Sequence, residues 1–255
     1  MVPDLFSLAG KVAVVTGSTR GIGKAVAKAM ADCGARVVIS SRTAEACREV
    51  VEEIQRTGGE ALPIPCNVSR EPQLDALVDR TLVRWKRIDV LVCNAAVNPH
   101  FGAMAEASTD VFDKVMDTNV KHVAGLCHRV IPQMAARKDG SIIIVSSIAG
   151  FRGHDKLGLY ALSKAAEMQL ARNLAVEWGG HNVRVNCVAP GLVRTDFARA
   201  LWEDPEVFRK TVASCPMGRI GEPEDIAGVA VFLAARAGSF VTGQTIVVDG
   251  GVTIG

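Results

Sequence analysis

Tyrosine is almost missing from this sequence: Tyr160 is the only one in 255 residues, and aromatic residues make up 5% of the chain. Long apolar runs are missing too. The longest, around Ile226 to Ala235, is about half of what a membrane span needs, so no spanning segment is expected. No block of one charge sign stands out: 29 Lys+Arg balance 27 Asp+Glu, and no Arg-rich arm is present. Nucleic-acid binding by phosphate neutralisation therefore has no compositional support. The seven cysteines (33, 47, 66, 93, 127, 187 and 215) include no Cys-x-x-Cys pair. That excludes a zinc knuckle or a disulfide framework, fits a reducing cytoplasm, and reads most of them as small buried hydrophobes. No His/Cys/carboxylate cluster has metal-ligand spacing, so no metal role is expected. Asp4, with no basic segment before an apolar run, argues against a signal peptide, and the final Thr253-Ile254-Gly255 is no peroxisomal address.

What is present is a regular alternation. Short β-branched runs at Val12–Val15, Arg36–Ser40, Ala61–Pro65, Val90–Cys93, Ser141–Val145, Arg184–Val188 and Thr245–Val248 read as strands. Helical patterns lie between most of them, at Lys24–Cys33, Thr43–Arg56, Glu71–Trp85, Thr109–Ala136, Tyr160–Trp178 and Pro223–Ala235. The strand runs are continuously apolar, as strands buried on both faces are. The expectation is an α/β fold: a doubly wound, Rossmann-like parallel sheet of about seven strands with helices on both faces. No linker or repeat divides the chain, so residues 1–255 read as one domain with a loop or lid near 196–216.

The first strand ends in Thr16-Gly17-Ser18-Thr19-Arg20-Gly21-Ile22-Gly23, and a helix follows. Glycines there allow a sharp turn and close approach to a pyrophosphate at the positive end of the helix, which predicts a dinucleotide site. An NAD site offers a carboxylate at the end of the second strand. Here that strand ends Ser40-Ser41-Arg42, and a guanidinium suits a 2′-phosphate, which points to NADPH over NAD, with Arg20 as a second cation.

Tyr160 and Lys164 are four apart on a predicted helix and share one face. Ser147 stands at the carboxyl end of the strand before it, where open α/β sheets place ligands. A phenol is a weak acid–base at neutral pH, and a nearby ammonium favours its ionised form. Tyr160 can then exchange a proton with a carbonyl oxygen as hydride is transferred, while Ser147 orients that oxygen.

Together these motifs resemble the single-domain short-chain dehydrogenase/reductase family over essentially the whole chain. The resemblance implies that Ser147, Tyr160 and Lys164 are catalytic. It implies that Asn119, in Asp117-Thr118-Asn119-Val120, is a fourth member supporting a proton relay. It extends the cofactor site to Asn67, Val68, Asn94 and Ala95, and to Pro190, Gly191, Val193 and Thr195 on the nicotinamide side. Asp249-Gly250-Gly251 matches the C-terminal signature, and a homotetramer with two-fold axes is implied. Two positions depart from the pattern: Ala96 follows Asn94-Ala95 where the family usually has Gly, and Asn67 stands where Asp is frequent. Ala96 is expected to narrow the cleft, and the Asn67 carbonyl to accept from adenine in place of a carboxylate.

Within the family, Val38–Arg42, Ala189–Leu192, Ala200–Asp204 and Gly221–Asp225 are similar to NADPH-dependent carbonyl reductases of the animal dicarbonyl and retinal type. That likeness implies reduction of ketones, aldehydes or α-dicarbonyls. The alternatives are a 3-oxoacyl-thioester reductase, for which Arg137 and Lys138 are the docking cations at hand, an NAD-linked hydroxysteroid or sugar-alcohol dehydrogenase, and a nucleotide-sensing protein without catalysis. Three loops are expected to line the substrate pocket. They offer His100, Phe101 and Met104; Phe151, His154 and Leu157; and Phe197, Leu201 and Trp202, with His154 and Trp202 as substrate contacts. Such a wall suits a small to medium apolar carbonyl compound.

Overall fold

A computed structural model describes residues 2–255, with side chains from Asp4 onward. The elements run α1 (Val2–Phe6), β1 (Val12–Thr16), α2 (Gly21–Asp32), β2 (Arg36–Ser40), α3 (Ala44–Arg56), β3 (Glu60–Pro63), α4 (Glu71–Trp85) and β4 (Val90–Cys93). They continue α5 (Thr109–Met116), α6 (His122–Arg137), β5 (Gly140–Val145), α7 (Gly158–Trp178), β6 (Val183–Pro190), α8 (Arg199–Trp202), α9 (Pro205–Ala213), α10 (Pro223–Ala234) and β7 (Thr245–Val248). All seven strands are parallel, in the order β3-β2-β1-β4-β5-β6-β7. The chain builds outward from β1 to β3, then returns to place β4 on the other side of β1. That reversal opens a crevice at the carboxyl ends of β1 and β4.

Successive strand residues face opposite layers. Val12, Val14, Leu91, Cys93, Ile142 and Ile144 pack against α4, α6 and α7. Ala13, Val15, Val90, Val92, Ile143 and Val145 pack against α2, α3 and α10. Each inner strand thus buries both faces, which is why its sequence is apolar without alternation. Among the described residues no helix is long and apolar enough to cross a membrane.

Two expectations change. The single helix expected over 109–136 is interrupted by one π-helical turn, Asp117–Lys121, between α5 and α6. Wide turns of this kind insert a residue and re-aim the side chains around it, and nothing in the hydrophobic spacing announced it. The 196–216 segment, expected as loop or lid, carries α8 and α9.

His122 opens α6 in the core, 2% exposed, and neither ring nitrogen completes a hydrogen bond. Burial pushes its imidazole down to about 4 from 6.5, the nearby Thr118 main chain offsets only part of this, and Lys164 adds to it. The unfolded chain takes up that proton near pH 6.5 while the native one resists. Stability is therefore full above that value and falls as the pH drops toward 4, by up to about 3 kcal/mol. Urea midpoints of His122→Leu should fall less between pH 7 and 4.5 than those of the wild type. Equal slopes would assign the acid sensitivity to other groups.

Candidate active site

The crevice at the switch point is a cleft of about 870 Å³ running from the α3 side of β2 past the ends of β4, β5 and β6. Its first wall is the turn between β1 and α2. Gly17 sits at φ +64 and Gly21 at +51, in the left-handed region. Gly23 is required by contact instead: a Cβ there would lie 2.4 Å from both Asn94 Nδ2 and the Gly17 carbonyl. Asn94 holds the turn from β4, its amide donating to the Thr16 and Gly17 carbonyls at 3.0 and 3.1 Å. Thr16 Oγ1 accepts in return from the Asn94 and Ala95 amides. No side chain caps α2, so its first-turn amides are open to an anion. Gly17, Thr19, Arg20, Gly21 and Ile22 line the cleft. Ser18 does not: its hydroxyl is buried, donating to the Val15 carbonyl and accepting from the Ser40 amide at 2.8 Å, which ties β1 to β2. Its amide is likewise engaged, donating to the Ser40 carbonyl at 3.1 Å, so the expected cofactor contact by Ser18 is not offered here.

At the far end Ser41, Arg42, Asn67 and Val68 line the cleft. Arg42 is exposed and has no ion-pair partner among the described residues. The nearest carboxylate in sequence, Glu45, turns to Arg48 at 2.6 Å and lies outside the cleft. Arg20 is less available than expected, since Asp196 stands 3.7 Å from it. Asn67 Oδ1 already accepts from the Ser69 amide at 3.2 Å, leaving its second lone pair for a ligand. Ala96 lines the cleft without positive φ, so the departure from Gly stores no strain.

The floor is built by β5 and α7. Ser147, Tyr160 and Lys164 all line it, with Lys164 Nζ 5.5 Å from the Tyr160 ring centre. Burial pushes the Tyr160 phenol above its ordinary value; Lys164 pulls it down, Glu167 pushes it up, and the Ser147 hydroxyl favours the phenolate. The expected lowering by Lys164 is present but outweighed. Asn119, fully buried in the π-turn, accepts from the Val97 amide and donates to the Val97 carbonyl and Ser163 Oγ. Ser163 in turn donates to the Tyr160 carbonyl at 2.7 Å. Asn119 thus braces both the β4 loop and the helix that carries the phenol, with both of its amide hydrogens engaged. Sequence reasoning missed Glu167, whose carboxylate accepts from Lys164 Nζ at 2.9 Å. Its place seven residues after Tyr160, on the stripe shared with Lys164, was the available signal.

Opposite lie Pro190, Gly191, Val193 and Thr195, with Leu192 between them. A Cβ on Gly191 would come within 2.9 Å of Asp249, whose carboxylate caps the Gly251 and Thr253 amides; the C-terminal signature acts as a brace under this loop. His154, Leu157, Phe197 and Leu201 line the substrate end, and the Phe197 ring lies 6.0 Å from Tyr160. Trp202 is not a lining residue. Its indole donates to the Thr195 carbonyl at 2.9 Å and lies under Arg194, bracing the loop after β6 from behind. His100, Phe101, Met104 and Phe151 also lie outside the cleft, because the loop after β4 and the turn after β5 carry them away from it.

A family profile described as enoyl-(acyl carrier protein) reductase matches residues 17–253. Dehydrogenase/reductase SDR family member 4 of Oryctolagus cuniculus is 43% identical over 244 residues, covering 96% of this chain and 94% of that protein. The Homo sapiens protein of that name is 43% identical, covering 96% and 88%. A Burkholderia cenocepacia gluconate 5-dehydrogenase, solved with NADP and tartrate, matches with a TM-score of 0.96 at 31% identity over all of both chains. A 7α-hydroxysteroid dehydrogenase, solved with NADH and 7-oxo glycochenodeoxycholic acid, gives 0.94 at 37% identity, covering 97% and 96%.

The contact made by Gly23 gives a test. Gly23→Ala should push the turn off Asn94 and weaken dinucleotide affinity at least about tenfold, a loss of about 1.4 kcal/mol, with the far-ultraviolet dichroism unchanged. Unaltered affinity by fluorescence titration would show that the turn yields without consequence.

Proposed function

The chain belongs to the short-chain dehydrogenase/reductase family and is an oxidoreductase, and from that premise we propose that it is an NADPH-dependent carbonyl reductase. Its substrates are small to medium apolar ketones, aldehydes or dicarbonyls, with the reverse alcohol oxidation also catalysed. One juxtaposition carries the reading: Tyr160, Lys164 and Ser147 at the floor of a cleft whose other end offers Arg42 and no carboxylate.

The nicotinamide, when bound, supplies or accepts the hydride. Tyr160 gives its phenolic proton to the carbonyl oxygen, or takes one from an alcohol. Ser147 holds the same oxygen, and Lys164 presents its ammonium beneath the phenol. Asn119 spends both side-chain amide hydrogens on Val97 and Ser163, so its part in a proton relay falls to an acceptor oxygen. The turn, the uncapped start of α2 and the free guanidinium of Arg42 suit a dinucleotide with a 2′-phosphate. The two solved relatives described above hold NADP and NADH respectively, so the preference rests on Arg42. His154, Leu157, Phe197 and Leu201 make the apolar substrate wall.

A carrier-protein thioester substrate is disfavoured. Arg137 reaches the Ile88 carbonyl and Asp89, and Lys138 caps the end of α6; both lie by the amino ends of the strands, away from the cleft mouth. We take the assembly to be a homotetramer, consistent with Phe112, Leu162 and Val176 left exposed on α5 and α7. A cytoplasmic setting suits seven free thiols.

Tyr160→Phe should lower carbonyl turnover by about 100-fold or more while cofactor affinity holds within about twofold. The assay is NADPH and NADH oxidation over α-dicarbonyls, aryl ketones, quinones, cyclic ketones and acetoacetyl thioesters; retained turnover would sink the reading. Arg42→Asp should raise the KM for NADPH at least about tenfold, the loss of a charge-assisted pair being worth more than about 1.4 kcal/mol. An unaltered preference would move 2′-phosphate recognition elsewhere.

A further inference from the structure

The mechanism above leaves a buried carboxylate beside Lys164 without a task. Glu167 is 1% exposed and stands on the α7 stripe that carries Tyr160 and Lys164. Its two oxygens accept from Lys164 Nζ at 2.9 and 3.1 Å, and the nearby Ser146 hydroxyl donates to the Lys164 carbonyl at 2.8 Å. Lys164 gives another hydrogen to the Val145 carbonyl at 3.0 Å. An ammonium has three donors; Glu167 and Val145 engage at least two of them.

The surroundings leave this pair as the charge that matters. Facing it from the other elements are Cys93 of β4, His122 and Cys127 of α6, and Cys187 of β6. A hydrogen bond donated to Cys127 and burial push the Cys93 thiol up, burial pushes the Cys187 thiol up, and His122 is neutral above about 4. Burial pulls Lys164 down, but Glu167 and Tyr160 hold its ammonium above the ordinary range. Burial raises Glu167 to about 7 against the pull of Lys164 and Ser146, so it is a carboxylate over the range in which a phenol titrates.

We propose that Glu167 is a counter-ion that masks the charge of Lys164 from Tyr160 and so keeps the phenol in its proton-donating form, poised for carbonyl reduction. A lone ammonium near the ring would favour the phenolate strongly in a poorly solvated site. Paired with a carboxylate 2.9 Å away, it acts on the phenol as a dipole whose influence falls off faster with distance. Glu167 is a positioning residue in this scheme, acting through Lys164. The catalytic consequence rests on the reading of Tyr160 as the proton donor; the electrostatic part does not.

The single tyrosine makes the test direct, because the near-ultraviolet tyrosinate band of the whole protein reports Tyr160 alone. The wild-type phenol should titrate above the ordinary value near 10. In Glu167→Gln, which keeps shape and hydrogen bonding but no charge, the midpoint should fall by at least about one pH unit, a tenfold change in proton affinity. Tyr160→Phe supplies the blank, and far-ultraviolet dichroism verifies the fold across the titration. The alkaline limb of 2,3-hexanedione reduction should move down by the same amount, with cofactor KM unchanged. A midpoint that stays or rises in the folded variant overturns the proposal and leaves Glu167 as a structural partner. If Glu167→Gln does not fold, Glu167→Met takes its place, and a wild-type midpoint below about 10 overturns the proposal without any variant. Turnover surviving in Tyr160→Phe would instead overturn the carbonyl-reductase reading, and the phenol titration would still decide the part played by Glu167.

Discussion

The structure turns on an ammonium group set where water barely reaches it. Lys164 is 2% exposed, and an unpaired cation at such a depth would cost several kcal/mol. The Val145 carbonyl and the Glu167 carboxylate make its burial tolerable. Those same contacts seat α7 on β5: Ser146 donates to the Lys164 carbonyl, Ser163 to that of Tyr160, and Asn119 joins Ser163 to the β4 loop. The side chains that place Tyr160 and Lys164 therefore also close the core. Truncating one leaves a buried partner unsatisfied, so activity and stability are coupled here more tightly than the short distances alone suggest.

The second constraint is the reversal of strand order at β1. It puts two strand ends side by side without a crossing connection, and the Thr16–Asn94 hydrogen bonds span the gap. Everything that faces the cleft is measured from that junction. Gly23 must lack a side chain because Asn94 is there; Gly191 must lack one because Asp249 approaches from the end of β7. Trp202 steadies the loop after β6 through Thr195. The cleft is cross-braced by hydrogen bonds around the β1–α2 turn, while its other half is formed by short helices without buried residues.

How much of this was legible depended on the range of the signal. Continuous apolar strands and the i, i+4 spacing of Tyr160 and Lys164 are local patterns, and they gave the layers, the sheet and the residues that meet at the floor of the cleft. Ser18 was misplaced because a serine in a phosphate turn looks the same whether its hydroxyl faces a ligand or the neighbouring strand; only the β1–β2 register decides. Trp202, Phe101 and Met104 were assigned to the pocket from loop position, but loop direction depends on packing that no short window encodes. Ala96 seemed a concern on family grounds and proves conformationally ordinary. Glu167 was visible on the stripe yet hidden by expectation, since a charge on a helix is usually solvated.

The π-turn at Asp117–Lys121 exposes the chain to a particular kind of genetic change. A wide turn holds one residue more than the α-helix on either side of it, and substitutions there leave the count intact. Losing a single residue would instead let α5 and α6 fuse into one unbroken helix. The segment would remain helical, and its composition would hardly alter. Yet the residues before the lesion would rotate about the axis by roughly 100°, carrying Asn119 off Val97 and Ser163 or swinging Val115 out of the core. Alignment length at this point, rather than residue identity, is therefore the diagnostic of an intact site among related chains.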